Sequence, residues 1–597
     1  MTDVLKIFED NISKHNDIYR RAQKNFAFLS YGRVALVLVF LGLFVWFANQ
    51  RMAWEMGLVF VLFPLAFGLL VARHNRSRYR RDQARFMVEI NRDEIERNHH
   101  RTDHVSPGEE FIGAEHAYSA DLDVFGRHSL FTLLNRTATA SGRECLARTL
   151  STLPKRKTVL TRQEAVKELK SMTEWRQEFQ ATGMHFPDQA SKIKVLRDWL
   201  GAPPFVVSTP MKIASFVLPV LTVGSAFGWL WGPLPLGLAG MFLVINMALL
   251  ARTFKAVQDT TEKTWEGTKA LKSSYRLIEI VEKTNFQSEG LRAISEGFGN
   301  GAVTASGAMK KLYLLLDYLN SRSNMFYHTF NMFFFIDLHL MRGLEKWKNK
   351  YAKNVSEWFS LLGEMEAYNS LAGYAFNQQG AVFPEITEEE YVFQGKDIGH
   401  PLIALQSRVN NDFDMTGRGT VAIITGSNMS GKSTFQRTLG INAVLAYSGA
   451  PVSAREMRLS VMQPFTSMRV SDKLDENVSS FYAELKRIRA VLDLVKNPDV
   501  PVFYLLDEIL KGTNSHDRHA GAMALVRQLV GLNGMGLVST HDLELGALSK
   551  ELPTVSNYSF NSSMEGDRLV FDYKLTEGIC KSFNASQLMK QMGIEMG

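Results

Sequence analysis

Ten residues constrain this chain more than any others: Thr425-Gly426-Ser427-Asn428-Met429-Ser430-Gly431-Lys432-Ser433-Thr434. They fit G-x-x-x-x-G-K-[ST] without a mismatch. The apolar run Val421-Ala422-Ile423-Ile424 before them reads as a buried strand, and Phe435-Gln436-Arg437-Thr438-Leu439 after them reads as the opening of a helix. A strand–loop–helix unit of this kind lets glycines curl the backbone until its N–H groups converge on phosphate oxygens. Lys432 would then reach the β- and γ-phosphates of ATP, and the Ser433 hydroxyl would bind Mg²⁺. The whole loop, Thr425 to Thr434, is the expected nucleotide-binding segment.

Two later strands supply the chemistry such a loop lacks. Val502-Phe503-Tyr504-Leu505-Leu506 ends in Asp507-Glu508, and Met535 to Thr540 ends in His541. At one edge of a parallel sheet, Asp507 would help hold Mg²⁺, Glu508 would polarise the attacking water, and His541 would contact the γ-phosphate. Ser479 opens a helix whose residues Phe481, Leu485, Ile488, Leu492 and Val495 share one face. At that N-terminus, N–H groups and the dipole favour a phosphate.

Upstream the sequence changes character. Val34–Asn49 carries no charge, and Met52–Ala72 carries only Glu55. A second pair, Ile213–Trp231 and Leu236–Ala251, is joined by Gly232-Pro233-Leu234-Pro235. Each run approaches the ~20 residues that cross a bilayer. Lys24 and Arg33 precede the first pair, and Arg73, Arg76, Arg78, Arg80 and Arg81 follow it; Lys212 precedes the second, and Arg252 and Lys255 follow it. The turns hold only Arg51. This asymmetry predicts two transmembrane hairpins, with both termini and the nucleotide domain cytoplasmic.

The remaining sequence is read as helical. Residues 83–117 look like a solvated polar helix and linker, with His99 and His100 as surface residues. Thr137–Gly142 would cap a helix running Arg143–Leu150, Leu160–Val166 would open another, and Met325–Leu340 would be a core helix. The expected division is 1–82 with the first hairpin, 83–117 as linker, 118–390 as a helical core interrupted by the second hairpin, and 391–597 as the nucleotide domain. The fold class is therefore an α/β P-loop ATPase domain of the ABC type, preceded by an all-α core and two transmembrane hairpins. With 68 Lys and Arg against 61 Asp and Glu, the net charge of +7 suits anionic partners, nucleic acid or lipid. Two cysteines, Cys145 and Cys580, exclude a disulfide framework.

Taken together, these residues resemble the MutS family of ABC-type ATPases. The loop TGSNMSGKST is similar to that family's TGPNMGGKST, departing at Ser427 and Ser430. Ser479-Ser480-Phe481-Tyr482-Ala483-Glu484 resembles its S-T-F-x-x-E, Asp507–Thr513 its DEIGRGT, and Ser539-Thr540-His541-Asp542 its ATHY. Gly399-His400-Pro401-Leu402 and Gly578–Phe583 resemble the segments that enter and close the domain. The resemblance is specific over about 390–597 and loose over about 118–200 and 300–390. It implies a homodimer with composite sites, in which one subunit's loop faces the other subunit's Ser479. No counterpart of the mismatch-reading F-x-E domain is visible, and the second hairpin stands where the lever and clamp would be inserted.

Two expectations about function follow. One is a membrane-anchored ATPase of the MutS type that meets duplex DNA through phosphates, with weak or no mismatch specificity. The other is an ATP-driven membrane motor or scaffold that does not act on DNA.

Overall fold

The computed structural model describes residues 2–581 except 114–115, 186–189, 300–303, 324, 470–479, 498 and 566–567. Ser479, Ser582 and Phe583 lie outside the described residues.

The chain opens with two long helices, Thr2–Asn49 and Ala53–Asn98. They turn at Arg51, whose φ is +57°, and lie antiparallel, with Phe40 stacked on Phe63 and Ser30 bonded to His74. Thr209–Trp231 and Leu236–Glu282 form a second pair. All four helices are long and apolar enough to cross a membrane. In the first two, the most apolar 18-residue stretch buries nothing within the protein; in the other two it buries 17% and 11%. Leu38, Phe60, Leu65, Val220 and Val244 stand largely exposed. A pair of core helices would have covered these side chains.

Residues 83–98 depart from the expected solvated helix. They continue the second long helix without a break, and Met87, Ile90, Asn91, Glu94 and Arg97 are buried. Arg136 Nε and Nη2 donate to the two Glu94 carboxylate oxygens at 2.5 and 2.8 Å. Arg97 donates to the carbonyls of Thr132, Leu133 and Asn135. Charge here marks a paired, buried join between hairpin and core, not a wet surface. The expected core helix at 325–340 is also different. Phe335, at φ +51°, breaks it into Met325–Phe334 and Ile336–Asn377. The first piece packs along the second hairpin, where Asn246 Nδ2 donates to the Met332 carbonyl at 3.1 Å, and it leaves Phe330 and Phe334 exposed.

The helical core gathers on the long helix Ile336–Asn377, which buries Trp347, Leu362, Leu371 and Tyr374. Thr139 caps Ala140–Ser151 by accepting from the Gly142 N–H, so this helix starts three residues before the expected Arg143. Glu366 accepts from the N–H groups of Ala138 and Thr139. Leu160–Val166 sits inside Arg156–Ser171 rather than at its start.

The nucleotide domain holds two sheets. β1 (Glu385–Ile386), β2 (Val392–Ile398), β3 (Asn411–Thr416), β4 (Val421–Gly426), β5 (Glu456–Leu459), β6 (Gln463–Ser467), β7 (Val502–Asp507), β8 (Gly534–Thr540), β9 (Val555–Glu565) and β10 (Arg568–Glu577) form the orders β1-β5-β2-β3 and β10-β9-β4-β8-β7-β6. From β9 to β6 the second sheet is parallel; β10 is antiparallel to β9. Thr425 aligns with Thr540, and Asp507 with Ser539. That register brings the carboxyl ends of β4, β8 and β7 to one edge, as an open parallel sheet requires of a ligand site. The helical core clasps this domain directly. The Asp121 carboxylate accepts from the Thr466 hydroxyl and from the N–H groups of Met468 and Arg469, and Arg487 donates to the carbonyls of His116 and Ala117.

Candidate nucleotide site

The loop between β4 and the helix Lys432–Tyr447 turns through two left-handed residues, Met429 at φ +65° and Gly431 at φ +107°. At Gly431 a Cβ would lie 3.1 Å from the Tyr573 ring, so glycine fits both the dihedral and the space. Lys432 Nζ donates to the carbonyls of Gly426 and Ser427, at 2.9 Å each. Burial lowers the affinity of this ammonium for its proton, and the nearby Glu508 and Asp507 oppose that effect.

Asp507 ends β7 and receives two hydroxyls: Ser433 Oγ donates to Oδ2, and Ser539 Oγ donates to Oδ1. Glu508 follows at φ +45°, and its own N–H is held by the Ser539 carbonyl at 3.1 Å. Its carboxylate is gripped from both sides. His541 Nε2 lies 2.8 Å from Oε1, and Lys511 Nζ lies 2.8 Å from Oε2. The His541 hydrogen bond and Lys511 outweigh desolvation and pull the Glu508 carboxyl down to about 2. His541 Nδ1 meets the Gly426 carbonyl at 2.9 Å. The ring thus bridges the Glu508 carboxylate and the backbone of the loop.

A cleft of about 530 Å³ lies over the loop, lined by Asn428–Phe435, Glu508, His400, Arg408 and Tyr573. Within the loop, Ser427 Oγ and Ser430 Oγ are buried without a hydrogen-bond partner. Orphaned hydroxyls, convergent loop N–H groups and a buried lysine fit a bound phosphate chain. The Ser433 hydroxyl and Asp507 carboxylate are hard oxygen donors beside it, the set that Mg²⁺ takes. When bound, that ion would neutralise charge on the phosphates.

Comparison with known proteins places the same segment in a family context. The family model of MutS domain V matches residues 422–594. Over this segment the chain is similar to MutS proteins. It is 31% identical over 249 residues to the DNA mismatch repair protein MutS of Shouchella clausii, covering 41% of this chain and 28% of that one. It is 29% identical over 265 residues to MutS of Aquifex pyrophilus, covering 43% and 30%. With MutS of Thermotoga petrophila it shares 32% over 198 residues, covering 33% and 25%. The chain thus spans less than a third of the length of these curated relatives.

Of the residues expected at the MutS-type site, Gly426, Ser427, Asn428, Met429, Ser430, Gly431, Lys432, Ser433, Thr434, Asp507, Glu508 and His541 come together. Thr425 is the exception in role. Its hydroxyl works inside the sheet, donating to the Tyr558 carbonyl at 3.3 Å and accepting from the Cys580 N–H at 2.9 Å. Ser479 falls outside the described residues, and the trans contact expected of it with them. Ser480–Val495 does form a helix, burying Ile488 and Val495, while Leu485 is exposed.

Three residues at the site were not singled out by sequence. Lys511 is one. Glu484 is another, because it accepts the Leu510 N–H and fixes the turn that carries Lys511. His400 is the third; burial, with Arg437 and Arg408 close by, lowers its imidazole to about 4, so a neutral ring lines the cleft. The signals existed in the motifs quoted above, as Lys511 within Asp507–Thr513, Glu484 at the end of its hexapeptide, and His400 before Pro401.

Proposed function

We propose that this chain is a membrane-anchored ATPase that binds and hydrolyses ATP as a homodimer and engages duplex DNA with weak or no mismatch specificity. The observation that carries the ATPase reading is the junction of the phosphate loop with Glu508, held between His541 and Lys511 beside Asp507. Lys432 and the loop N–H groups bind phosphate oxygens, Glu508 accepts the proton of the attacking water, and His541 orients Glu508 against the Gly426 carbonyl. Four apolar helices with exposed flanks, and arginines clustered beyond the first pair, support the membrane reading. The relatives' names, as DNA mismatch repair proteins, support the DNA reading. Ser479 of each subunit would complete the other subunit's site.

A second reading is favoured by one observation. The hairpin helices Ala53–Asn98 and Leu236–Glu282 run unbroken from apolar span into buried core. A nucleotide-driven movement would then act on the membrane, with no DNA involved.

The deciding measurement is the ATPase rate of the detergent-purified protein with and without duplex DNA, together with DNA binding at several salt concentrations. Binding that falls steeply with salt and stimulates hydrolysis supports the DNA reading. Absence of binding at low salt rejects it in favour of the motor. The membrane reading is checked separately: cysteines placed near Gln50 and Gly232 should label from outside, and those near Arg80 should not. Recovery of the chain in the supernatant after membranes are pelleted would reject it.

A further inference from the structure

Away from the nucleotide site, a cavity of about 820 Å³ lies at the foot of the first helical pair. Its walls come from 15–29 of Thr2–Asn49, from 73–87 of Ala53–Asn98, and from the helix Thr173–Met184. Arg21, Arg73, Arg76 and Arg80 line it, and among the described residues none of the four forms a salt bridge. The neighbouring Arg78 and Arg81 differ, since both pair with Asp82. The cavity's two carboxylates are Glu174 and Glu178, and Lys14 Nζ engages Glu174 at 2.9 Å. Cationic charge is therefore in excess.

The rest of the lining mixes polar side chains such as Asn25, Ser77 and Gln83 with an apolar part that includes Phe28, Leu29 and Met87. One wall is held firmly: the Tyr79 ring stacks on His185 at 4.0 Å, and the Arg276 guanidinium lies over the same ring at 4.2 Å. Position adds the decisive constraint. Phe28 stands six residues before Val34, where the charge-free run begins, and Arg73 directly follows Ala72, where its partner run ends. At 1.5 Å per residue, the near end of the cavity, at Phe28, Arg73 and Arg76, sits within about 10 Å of the apolar edge, the depth of headgroups in a bilayer.

We propose that this cavity binds the phosphate headgroup of an anionic phospholipid, whose acyl chains lie against the exposed apolar faces of the two helices. Arginine forks match phosphate oxygens, and the apolar lining accepts the glycerol and upper chain. A free inorganic anion would use the same arginines but gain nothing from Phe28, Leu29 or Met87. The proposal rests on the membrane reading given above.

The test uses the full chain in neutral detergent, titrated with dioctanoyl phosphatidylglycerol, dioctanoyl phosphatidylcholine and inorganic phosphate while thermal unfolding is followed. Phosphatidylglycerol should stabilise the protein saturably, at concentrations at least tenfold below those needed for phosphatidylcholine. The variant Arg73→Gln/Arg76→Gln/Arg80→Gln should weaken that binding at least tenfold. Arg252→Gln/Lys255→Gln, at the foot of the other apolar pair, should leave it unchanged. Ala22→Trp, which fills the cavity without altering charge, should weaken binding like the triple variant and guards against misfolding of that variant. Equal response to both lipids, or binding insensitive to both the triple variant and Ala22→Trp, overturns the proposal. Inorganic phosphate matching the lipid at equal concentration overturns it in favour of a free-anion site, and displacement of the lipid by duplex DNA overturns it in favour of a nucleic-acid surface. The two readings fail separately. A chain stripped from membranes by alkaline carbonate defeats the membrane reading, whereas a chain that stays in the pellet and shows no lipid preference defeats only the lipid site.

Discussion

Lys511 Nζ sits 2.8 Å from Glu508 Oε2, three residues along a turn in which both Glu508 and Leu510 have positive φ. The turn is what permits the contact, because an extended chain would carry the lysine away. Glu484 holds it from outside through the Leu510 N–H. Lys511 thus fixes one oxygen of the carboxylate while His541 fixes the other. Lys511→Ala should slow ATP hydrolysis on the order of tenfold and leave nucleotide affinity within about twofold, since the lysine acts on the general base rather than on the phosphates. Steady-state kinetics with nucleotide titration separate the two quantities. An affinity loss larger than the rate loss would place Lys511 on the nucleotide instead.

Glu508→Gln keeps the shape of the carboxylate and removes its basicity. Hydrolysis should fall at least about a hundredfold while ATP still binds. Lys432→Ala should abolish binding itself, because the loop loses the cation that faces the phosphates. Equilibrium binding of a fluorescent ATP analogue to both variants tests the pair. Wild-type hydrolysis in either one contradicts the assignment.

The depressed carboxyl of Glu508 makes a statement about pH. Its proton affinity in the folded protein, about 2, lies below the ordinary value of 4.5. The folded state therefore gains from the ionised form above pH 4.5, and that gain is lost as pH falls from about 4.5 towards about 2. Wild type should lose more stability across this interval than Glu508→Gln, as read by denaturant unfolding at stepped pH. In Lys511→Ala the carboxyl should rise and the acid limb of hydrolysis should move to higher pH.

Glu94 and Arg136 pair where water scarcely reaches, with side-chain exposures of 7% and 2%. Glu94→Ala strands a guanidinium inside the join between hairpin and core. It should cost about 3–5 kcal/mol, whereas Glu94→Leu/Arg136→Met, which removes both charges, should cost markedly less. Thermal unfolding of the three proteins in one detergent gives the comparison. Equal loss in single and double variants would mean that the pair contributes by shape alone.

Binding to DNA through phosphates should discriminate poorly between matched and G·T-containing duplexes. Less than about tenfold is expected, under roughly 1.4 kcal/mol. Titrations at several salt concentrations, with and without ATP, measure it. A hundredfold preference that persists at physiological salt would require a mismatch reader in this chain.

The candidate nucleotide site was legible because its information is local. The loop carries its own glycines and lysine, and each strand carries its functional residue at its tip, so sheet register alone assembles them. The apolar runs were legible as runs because composition is independent of partners. What sequence left hidden depends on distant pairings. Glu94 and Arg97 read as surface charge until their distant partners are placed beside them, Arg136 for Glu94 and the carbonyls of Thr132, Leu133 and Asn135 for Arg97. Phe335 gave no local signal of a break, since nothing in the neighbouring residues demands positive φ. Lys511 was visible as part of a motif, but its grip on Glu508 needed the left-handed turn to be seen.

The helix Leu236–Glu282 has a mechanical implication. Its 47 residues form a single rod about 70 Å long at 1.5 Å per residue. One end belongs to the apolar hairpin; at the other, Leu277, Ile278 and Val281 are locked in the helical core. A stiff rod converts angle into distance, so a tilt of about 5° at the core end would displace the far tip by about 6 Å over that length. Small rearrangements around Glu508 and Lys511, if they reach the core through Asp121 and Arg487, would arrive at the hairpin tip as movements larger than the width of a side chain.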